Sequence, residues 1–384
     1  MVASDHAKDE LLRGIARLVS GDRAGALADF SEAIDIDPSC PEAYNNRGVT
    51  RHAGNDLAGA LADFDRALEI APRFAEAYNN RGAVRRALGD LDGAIADLDR
   101  AIELNSRYVE AFNNRGDARL ASGDLDGAIA DFDRALESRP DYAEALNNRG
   151  AARRARGDLG GAVADFDRAL RGARGGGASA ATYHNRGLAR RDLGDHAGAI
   201  ADLTESLMRT PPGSSSAVFH DRGVARHALG DFAGAIADYS RAIELDPRLC
   251  VAYISRGNAR FHRRDAAAGL DYWVAFAIDA PFTAGEIVRL IAVDLRRDPE
   301  AVLTNCRKHL RINPADSVAY ARRALCLLLQ GKDEEAKADL DEVLRLCPEW
   351  KPHVDRLVVA ARRLRDLARG EAVQTPHAGE SPVA

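Results

Sequence analysis

Lysine is nearly missing from this 384-residue chain. Of its 53 basic residues only Lys8, Lys308, Lys332, Lys337 and Lys351 are lysine, and arginine supplies the rest. The guanidinium is a planar fork suited to bidentate pairing with carboxylates. Aromatic residues make up only 6%, too few for several large independent cores, although the length alone would suggest two or three globular domains. The five cysteines (Cys40, Cys250, Cys306, Cys326, Cys347) form no C-x-x-C, and their odd count speaks against a disulfide framework or a zinc site. Buried thiols in a reducing compartment are the expectation. No Gly-X-Y period is present, which excludes collagen, and 46% hydrophobic residues exclude disorder. Neither sign of charge dominates: 53 basic against 59 acidic residues leave a net charge of −6. That balance argues against nucleic acid or an anionic membrane as the main partner. No apolar run approaches the ~20 residues that span a bilayer. Met1 to Leu12 carries Asp5, Lys8, Asp9 and Glu10 in place of the apolar stretch of a secretory leader. These absences predict a soluble cytoplasmic protein with no cofactor, no metal and no membrane partner.

What the chain has is repetition. Tyr44-Asn45-Asn46-Arg47-Gly48 recurs as Tyr78-Asn79-Asn80-Arg81-Gly82, then from Phe112 to Gly116 and from Leu146 to Gly150, at steps of 34 residues. Weaker copies follow at Tyr183–Gly187, Phe219–Gly223 and Tyr253–Gly257, and Arg13-Gly14 is a faint first copy. Self-similarity at this period means a stacked array. Each unit reads as two helices. In the unit 41–74, the first starts near Glu42 and ends at Gly54-Asn55, and the second runs from Leu57 to Ile70 before Pro72. Asp56 stands at the N-cap of the second helix, and so by register do Asp22, Asp90, Asp124, Asp158, Asp195, Asp231 and Asp265. Helices this short are marginal alone, so stability must come from neighbouring units.

The packing slots repeat as well. A glycine lies midway along the first helix at Gly14, Gly48, Gly82, Gly116, Gly150, Gly187, Gly223 and Gly257. Its cost of ~1 kcal/mol against alanine implies close approach by the second helix. The expected facing residues are Ala26, Ala60, Ala94, Ala128, Ala162, Ala199 and Ala235. Four positions on come the expected core residues Phe30, Phe64, Leu98, Phe132, Phe166, Leu203, Tyr239 and Trp273.

With the aromatic near its start, mid-helix glycine, Gly-Asp turn, alanine, aromatic and closing proline, the unit resembles the tetratricopeptide repeat (TPR) family. It resembles a bacterial-type subtype with Asn-Arg-Gly in each first helix. The resemblance implies an all-α, right-handed superhelical solenoid. The frame gives ten units, 7–40, 41–74, 75–108, 109–142, 143–179, 180–215, 216–249, 250–283, 284–316 and 317–350, of which the last two are degenerate. Residues 1–6 read as an N-terminal extension, 351–369 as a capping helix and 370–384 as a disordered tail. The Gly-rich stretch 171–181 and the TPPGSSS stretch 210–216 interrupt the array. The first reads as a loop insertion or as a hinge between blocks 7–170 and 180–350.

Three polar ladders carry the chemistry. Arg13, Arg47, Arg81, Arg115, Arg149, Arg186, Arg222 and Arg256 precede the mid-helix glycine, and Asp29, Asp63, Asp97, Asp131, Asp165, Asp202 and Asp238 flank the core aromatic. Buried arginine needs a carboxylate, so these two columns are expected to pair structurally. The unit 250–283 departs, offering Tyr272 in the aspartate slot. One turn on, Arg17, Arg51, Arg85, Arg119, Arg153, Arg190, Arg226 and Arg260 are expected to lay down half-buried stems with hydrated heads. The third ladder is the amide pairs Asn45-Asn46, Asn79-Asn80, Asn113-Asn114 and Asn147-Asn148, continued by Asn185 and then Asp221.

First helices line the inner surface in the resembled family, so these asparagines are the candidate peptide-binding residues, as in the similar asparagine ladder of the O-linked N-acetylglucosamine transferases. An amide offers one donor and one acceptor to a peptide unit; the rival role is bonding between neighbouring helices. Glu42, Glu76, Glu110 and Glu144 flank the column on one side, and His52, Arg86, Arg154, Arg191 and His227 on the other, a pattern able to orient a peptide of either polarity. Val49, Ala83, Asp117, Ala151 and Leu188 replace the asparagine of the chaperone-binding clamp, which disfavours a co-chaperone.

Catalytic signatures are missing: there is no phosphate-binding glycine loop, no G-x-S-x-G and no H-E-x-x-H. Asp124-Leu125-Asp126-Gly127 lacks the EF-hand order, and His184 with His220 near Asp221 does not amount to a metal site. The reading is a non-catalytic scaffold for a protein or peptide partner. The alternatives are a regulatory or targeting subunit of an enzyme complex, and RNA binding through the arginine ladders.

Overall fold

A computed structural model describes residues 2–172, 179–211, 213–263, 299–312, 314–315 and 317–346, together with Asp271, Ala275 and single positions from 348 to 366. Among the described residues there are eighteen helices and no strand. The chain divides into two compact units, Met1–Asp195 and His196–Ala384. The first contains α1 (Val2–Val19), α2 (Arg23–Ile36), α3 (Pro41–Ala53), α4 (Leu57–Ile70), α5 (Ala75–Ala87), α6 (Leu91–Leu104), α7 (Val109–Ser122), α8 (Leu125–Ser138), α9 (Ala143–Arg156), α10 (Leu159–Gly172) and α11 (Ala180–Asp192). The second contains α12 (His196–Arg209), α13 (Ser216–Ala228), α14 (Phe232–Leu245), α15 (Cys250–His262), α16 (Pro299–Ile312), α17 (Ser317–Gln330) and α18 (Asp333–Leu346). The division lies between Asp195 and His196 and not at 171–181, of which residues 173–178 fall outside the described set. Helix α1 begins at Val2, so residues expected as an N-terminal extension continue the first helix. No described helix is long and apolar enough to cross a membrane.

The hairpins arise from local chemistry. Asp22, Asp56, Asp90, Asp124, Asp158 and Asp231 each accept the backbone N–H three residues on, at 2.9–3.0 Å. A cap of this kind contributes about 1 kcal/mol. The acceptor crowds its partner residue: a Cβ on Gly59 would stand 2.2 Å from Asp56 Oδ2, which is why these six caps read Asp-x-x-Gly. The tight exit from the first helix is left-handed, at φ +86° for Gly123 and, without glycine, at φ +65° for Asn55. Asp265 lies outside the described residues.

Between the two helices of a hairpin the mid-helix glycine meets the side chain four positions beyond the expected alanine. A Cβ on Gly48, Gly116, Gly150 or Gly223 would come within 2.6–2.8 Å of Phe64, Phe132, Phe166 or Tyr239. At Gly82, opposite the shorter Leu98, the Ala94 carbonyl is close as well, at 3.2 Å. Ala26, Ala60, Ala94, Ala128, Ala162, Ala199 and Ala235 are all fully buried. A side chain leans toward the N-terminus of its own helix, so the reach of a residue four positions on covers the slot.

The unit 317–350 loses the sequence signature and keeps the hairpin. Helices α17 and α18 form a hairpin in which Tyr320 lies under Arg323, which donates to buried Asp339 at 2.7 Å. Val354 and Ala361, from the segment expected to cap the array, are buried against the cluster that holds Ala336, Leu340 and Val343. Arg365 reaches back from the same segment to Asp333 at 2.7 Å. The tail 370–384 lies outside the described residues.

Candidate binding surface

The arginine and aspartate ladders meet inside each hairpin. Arg47, Arg81, Arg115 and Arg149 grip Asp63, Asp97, Asp131 and Asp165 through Nε and Nη2, at 2.5–3.2 Å. Arg222 does the same to Asp238, and Arg13 to Asp29. These aspartates are buried, as is Asp202. Each of the six first-ladder arginines from Arg47 to Arg256, Arg149 excepted, rests on the aromatic three residues before it, with Cζ 5.5–5.6 Å from the ring centre. In the first hairpin Glu10 stands where the aromatic would be and pairs with Arg13.

Two expectations are corrected here. The second arginine column does not end in hydrated heads. Arg51, Arg85, Arg119, Arg153 and Arg226 turn Nη1 onto the second oxygen of the same buried aspartate at 2.7–2.9 Å. Four of them also approach the carbonyl of the capping glycine, as Arg51 does that of Gly59 at 3.2 Å. One carboxylate is thus clamped by two guanidinium groups from successive turns of one helix. The unit 250–283 does not depart either. Arg256 and Arg260 clamp Asp271, at 2.6 and 2.8 Å, where the sequence frame had counted Tyr272. The spacing there is fifteen residues where other units have sixteen.

A further contact was not anticipated. The third limb of the first-ladder arginine crosses to the preceding hairpin, onto the residue two positions beyond that hairpin's buried aspartate. Arg81, Arg115, Arg149 and Arg186 meet Asp65, Asp99, Asp133 and Asp167 at 2.5–2.7 Å. Arg47, Arg222 and Arg256 meet the hydroxyls of Ser31, Thr204 and Ser240 at 3.0–3.2 Å. The Asp-x-Asp and Asp-x-Ser/Thr strings were the available signal. Burial works against the charge of Arg81, Arg115 and Arg149, yet bonds to both carboxylates hold their pKa above the ordinary arginine value.

The amides wire first helix to first helix. Asn80 donates to Asn45 at 3.0 Å, Asn114 to Asn79 at 2.8 Å, Asn148 to Asn113 at 3.5 Å and Asn185 to Asn147 at 3.1 Å. Within a pair, Asn79 donates to Asn80 and Asn147 to Asn148. Asn46, with no pair before it, donates to the Glu42 carbonyl. Asn45, Asn79 and Asn113 are buried, and the others half-buried. The column therefore sets α3, α5, α7, α9 and α11 side by side as one wall of the Met1–Asp195 unit. In the second unit the register passes to His220, whose Nε2 lies 3.1 Å from Ser255 Oγ.

Along that wall the two charged edges differ. Arg86 pairs with Asp117 at 2.8 Å, and Arg154 and Arg191 with Asp192 at 2.7 and 3.1 Å. On the acidic edge Glu110 pairs with Arg139 at 2.8 Å; burial raises its pKa and this bond outweighs it, leaving a net lowering. Glu144 accepts from neutral Tyr142 and Asn113. Glu10, Asp29 and Glu32 cluster closely enough for a cation, but Arg13 pairs with all three and supplies that charge.

Models described as "Tetratricopeptide repeat" match residues 11–73 and 113–178, and residues 180–212 and 317–349. A model described as "TPR repeat" matches residues 82–123 and 223–262. No curated protein matches the chain significantly. Among solved structures, a tetratricopeptide repeat protein from Parabacteroides merdae is 19% identical over 66% of this chain and 99% of its own, with a TM-score of 0.51. The Cut9–Hcn1 hetero-tetramer of the APC/C is 13% identical over 68% of this chain and 51% of its own, with a TM-score of 0.55. At these identities the likeness is one of fold.

Proposed function

We propose, from the premise that this chain belongs to the tetratricopeptide repeat proteins, that it is a non-catalytic scaffold holding an extended or helical segment of a partner protein against its first-helix wall. The observation that carries this reading is the amide wiring. It fixes five first helices edge to edge and leaves small residues, among them Ala83, Ala87, Ala121, Ala151 and Ala155, at the half-buried and exposed positions between the charged edges. A carboxamide has two N–H bonds and the wiring uses one, so Asn46, Asn80, Asn114, Asn148 and Asn185 keep a second for a partner carbonyl. RNA binding finds no support in the arginine ladders, whose heads are engaged by buried carboxylates and so are not offered to phosphate. A targeting subunit of an enzyme complex would use the same wall.

The test plugs the wall without touching the wiring. Ala87→Trp/Ala121→Trp/Ala155→Trp alters exposed positions on the wall, and Glu69→Trp/Glu103→Trp/Glu137→Trp alters exposed positions of the second helices. In affinity capture from cell extract, the wall variant is expected to lose its partners at least tenfold while the control retains them. Equal recovery by both variants overturns the proposal.

A further inference from the structure

We infer that the partner segment is basic and carries a bulky apolar anchor, seated on α1 at the N-terminal end of the wall. This inference rests on the scaffold reading above. Leu12, Ile15 and Val19 are 56, 36 and 85% exposed and follow one another at i, i+3 and i+7. Such spacing puts all three on one face of α1. By the 34-residue step they stand where α3 has Asn46, Val49 and Ala53. The face that carries amides and small residues from α3 onward is therefore apolar at its first helix. Half-buried Leu11 and Leu18 lie beside it.

Charge complementarity selects the occupant. On the basic edge every arginine of the first unit named above is met by an aspartate, with Arg154 and Arg191 sharing Asp192. On the acidic edge Glu42, Glu76 and Glu144 are exposed, and none has an ion-pair partner among the described residues. Lys8 is the one exposed cation at the same register on α1. The charge next to the apolar face that no ion pair answers is thus negative, at Glu42 and Glu76; exposed Arg73 lines the depression beside Glu42 without pairing to it. Neighbouring helices lie about 10 Å apart, and an extended chain advances about 3.3 Å per residue. The matching segment has large apolar side chains, then Lys or Arg about three residues on, and another about three beyond that.

The experiment is selection of a random 16-residue peptide library, displayed on phage, against the full chain. The expected winners combine bulky apolar residues with Lys or Arg at that spacing. Their binding is expected to fall at least tenfold with Leu12→Ser/Ile15→Ser/Val19→Ser and with Glu42→Gln/Glu76→Gln, all exposed positions. Winners that are acidic or uncharged, or that neither variant weakens, overturn the inference. If the wall variant Ala87→Trp/Ala121→Trp/Ala155→Trp still abolishes their binding, the scaffold reading survives it. Winners that no variant weakens, or no winners at all, overturn both. A chain that sedimentation finds dimeric, and that becomes monomeric with the α1 variant, assigns the apolar face to a second copy and also overturns the inference.

Discussion

Across four hairpin boundaries of the Met1–Asp195 unit an arginine meets an aspartate, at Asp65, Asp99, Asp133 and Asp167. In the His196–Ala384 unit the same limb meets a hydroxyl, at Thr204 and Ser240. The four bonds from asparagine to asparagine described above all lie in the first unit. The apolar cores differ in the opposite sense. The first unit has mostly small nests such as Ala60, Phe64 and Val84. In the second, Tyr253, Leu303, Leu325, Leu328, Leu340, Val343 and Val354 belong to one continuous cluster. A regular array of small residues buries little side-chain volume per boundary, and periodic polar contacts supply its register. Where the period decays, aliphatic packing takes over, because apolar burial is non-directional and tolerates irregular spacing.

That contrast can be broken from either side. The largest effect is expected from Asp131→Ala, which strands Arg115 and Arg119 around an empty slot. Removing one partner of a buried ion pair costs about 3–5 kcal/mol, and urea denaturation followed by circular dichroism measures it. Leu328→Ala in the second unit is expected to cost about 2–5 kcal/mol through a cavity. Because the chain's two tryptophans, Trp273 and Trp350, both fall within His196–Ala384, their fluorescence follows that unit alone.

Gly116→Ala comes next. Alanine's helix preference favours it, but its Cβ would lie 2.7 Å from the Phe132 ring, so a net loss of about 1–3 kcal/mol is expected. Exchanging the boundary chemistry is a smaller step. Ser240→Asp should add, and Asp133→Ser remove, roughly 0.2–1 kcal/mol, both less at high salt, because these groups are partly exposed.

The smallest effect concerns pH. His227 packs against Phe232 and His262, and its pKa is lowered first by burial and then by His262. The unfolded chain therefore takes the proton first. The contribution is full above the unfolded value of about 6.5 and is lost as the pH falls below it. Tryptophan-monitored stability should decline from pH 7.5 to 5, and His227→Phe should flatten that slope.

Much of this was legible before any coordinates. The hairpin bounds of α3 and α4, the aspartate caps and the buried alanines follow from local turn chemistry and periodicity. The pairing of Arg115 with Asp131 was legible as a need, since one column of charge required another of the same period. The destinations of the second arginine column were not. Arg51 has a stem long enough to reach water or Asp63, and only the crossing of α3 over α4 decides between them. Asp271 is hidden from the period, because it stands fifteen residues after Arg256 where other units have sixteen, and a one-residue change in spacing is invisible to a repeat length. The asparagine column was read with two rival roles, and its bonds from Asn80 to Asn45 belong to the neighbour-bonding one.

By itself the sequence determined that short helices alternate, where each begins, which residues are small and where charge must be answered by charge. These are properties of single turns and of a repeat length. The tertiary structure decided which ring fills the glycine slot, that two guanidinium groups share one carboxylate, and that the third limb reaches the next hairpin. Those choices depend on the angle and offset at which helices cross, and a side chain's partner is selected only when both backbones are in place.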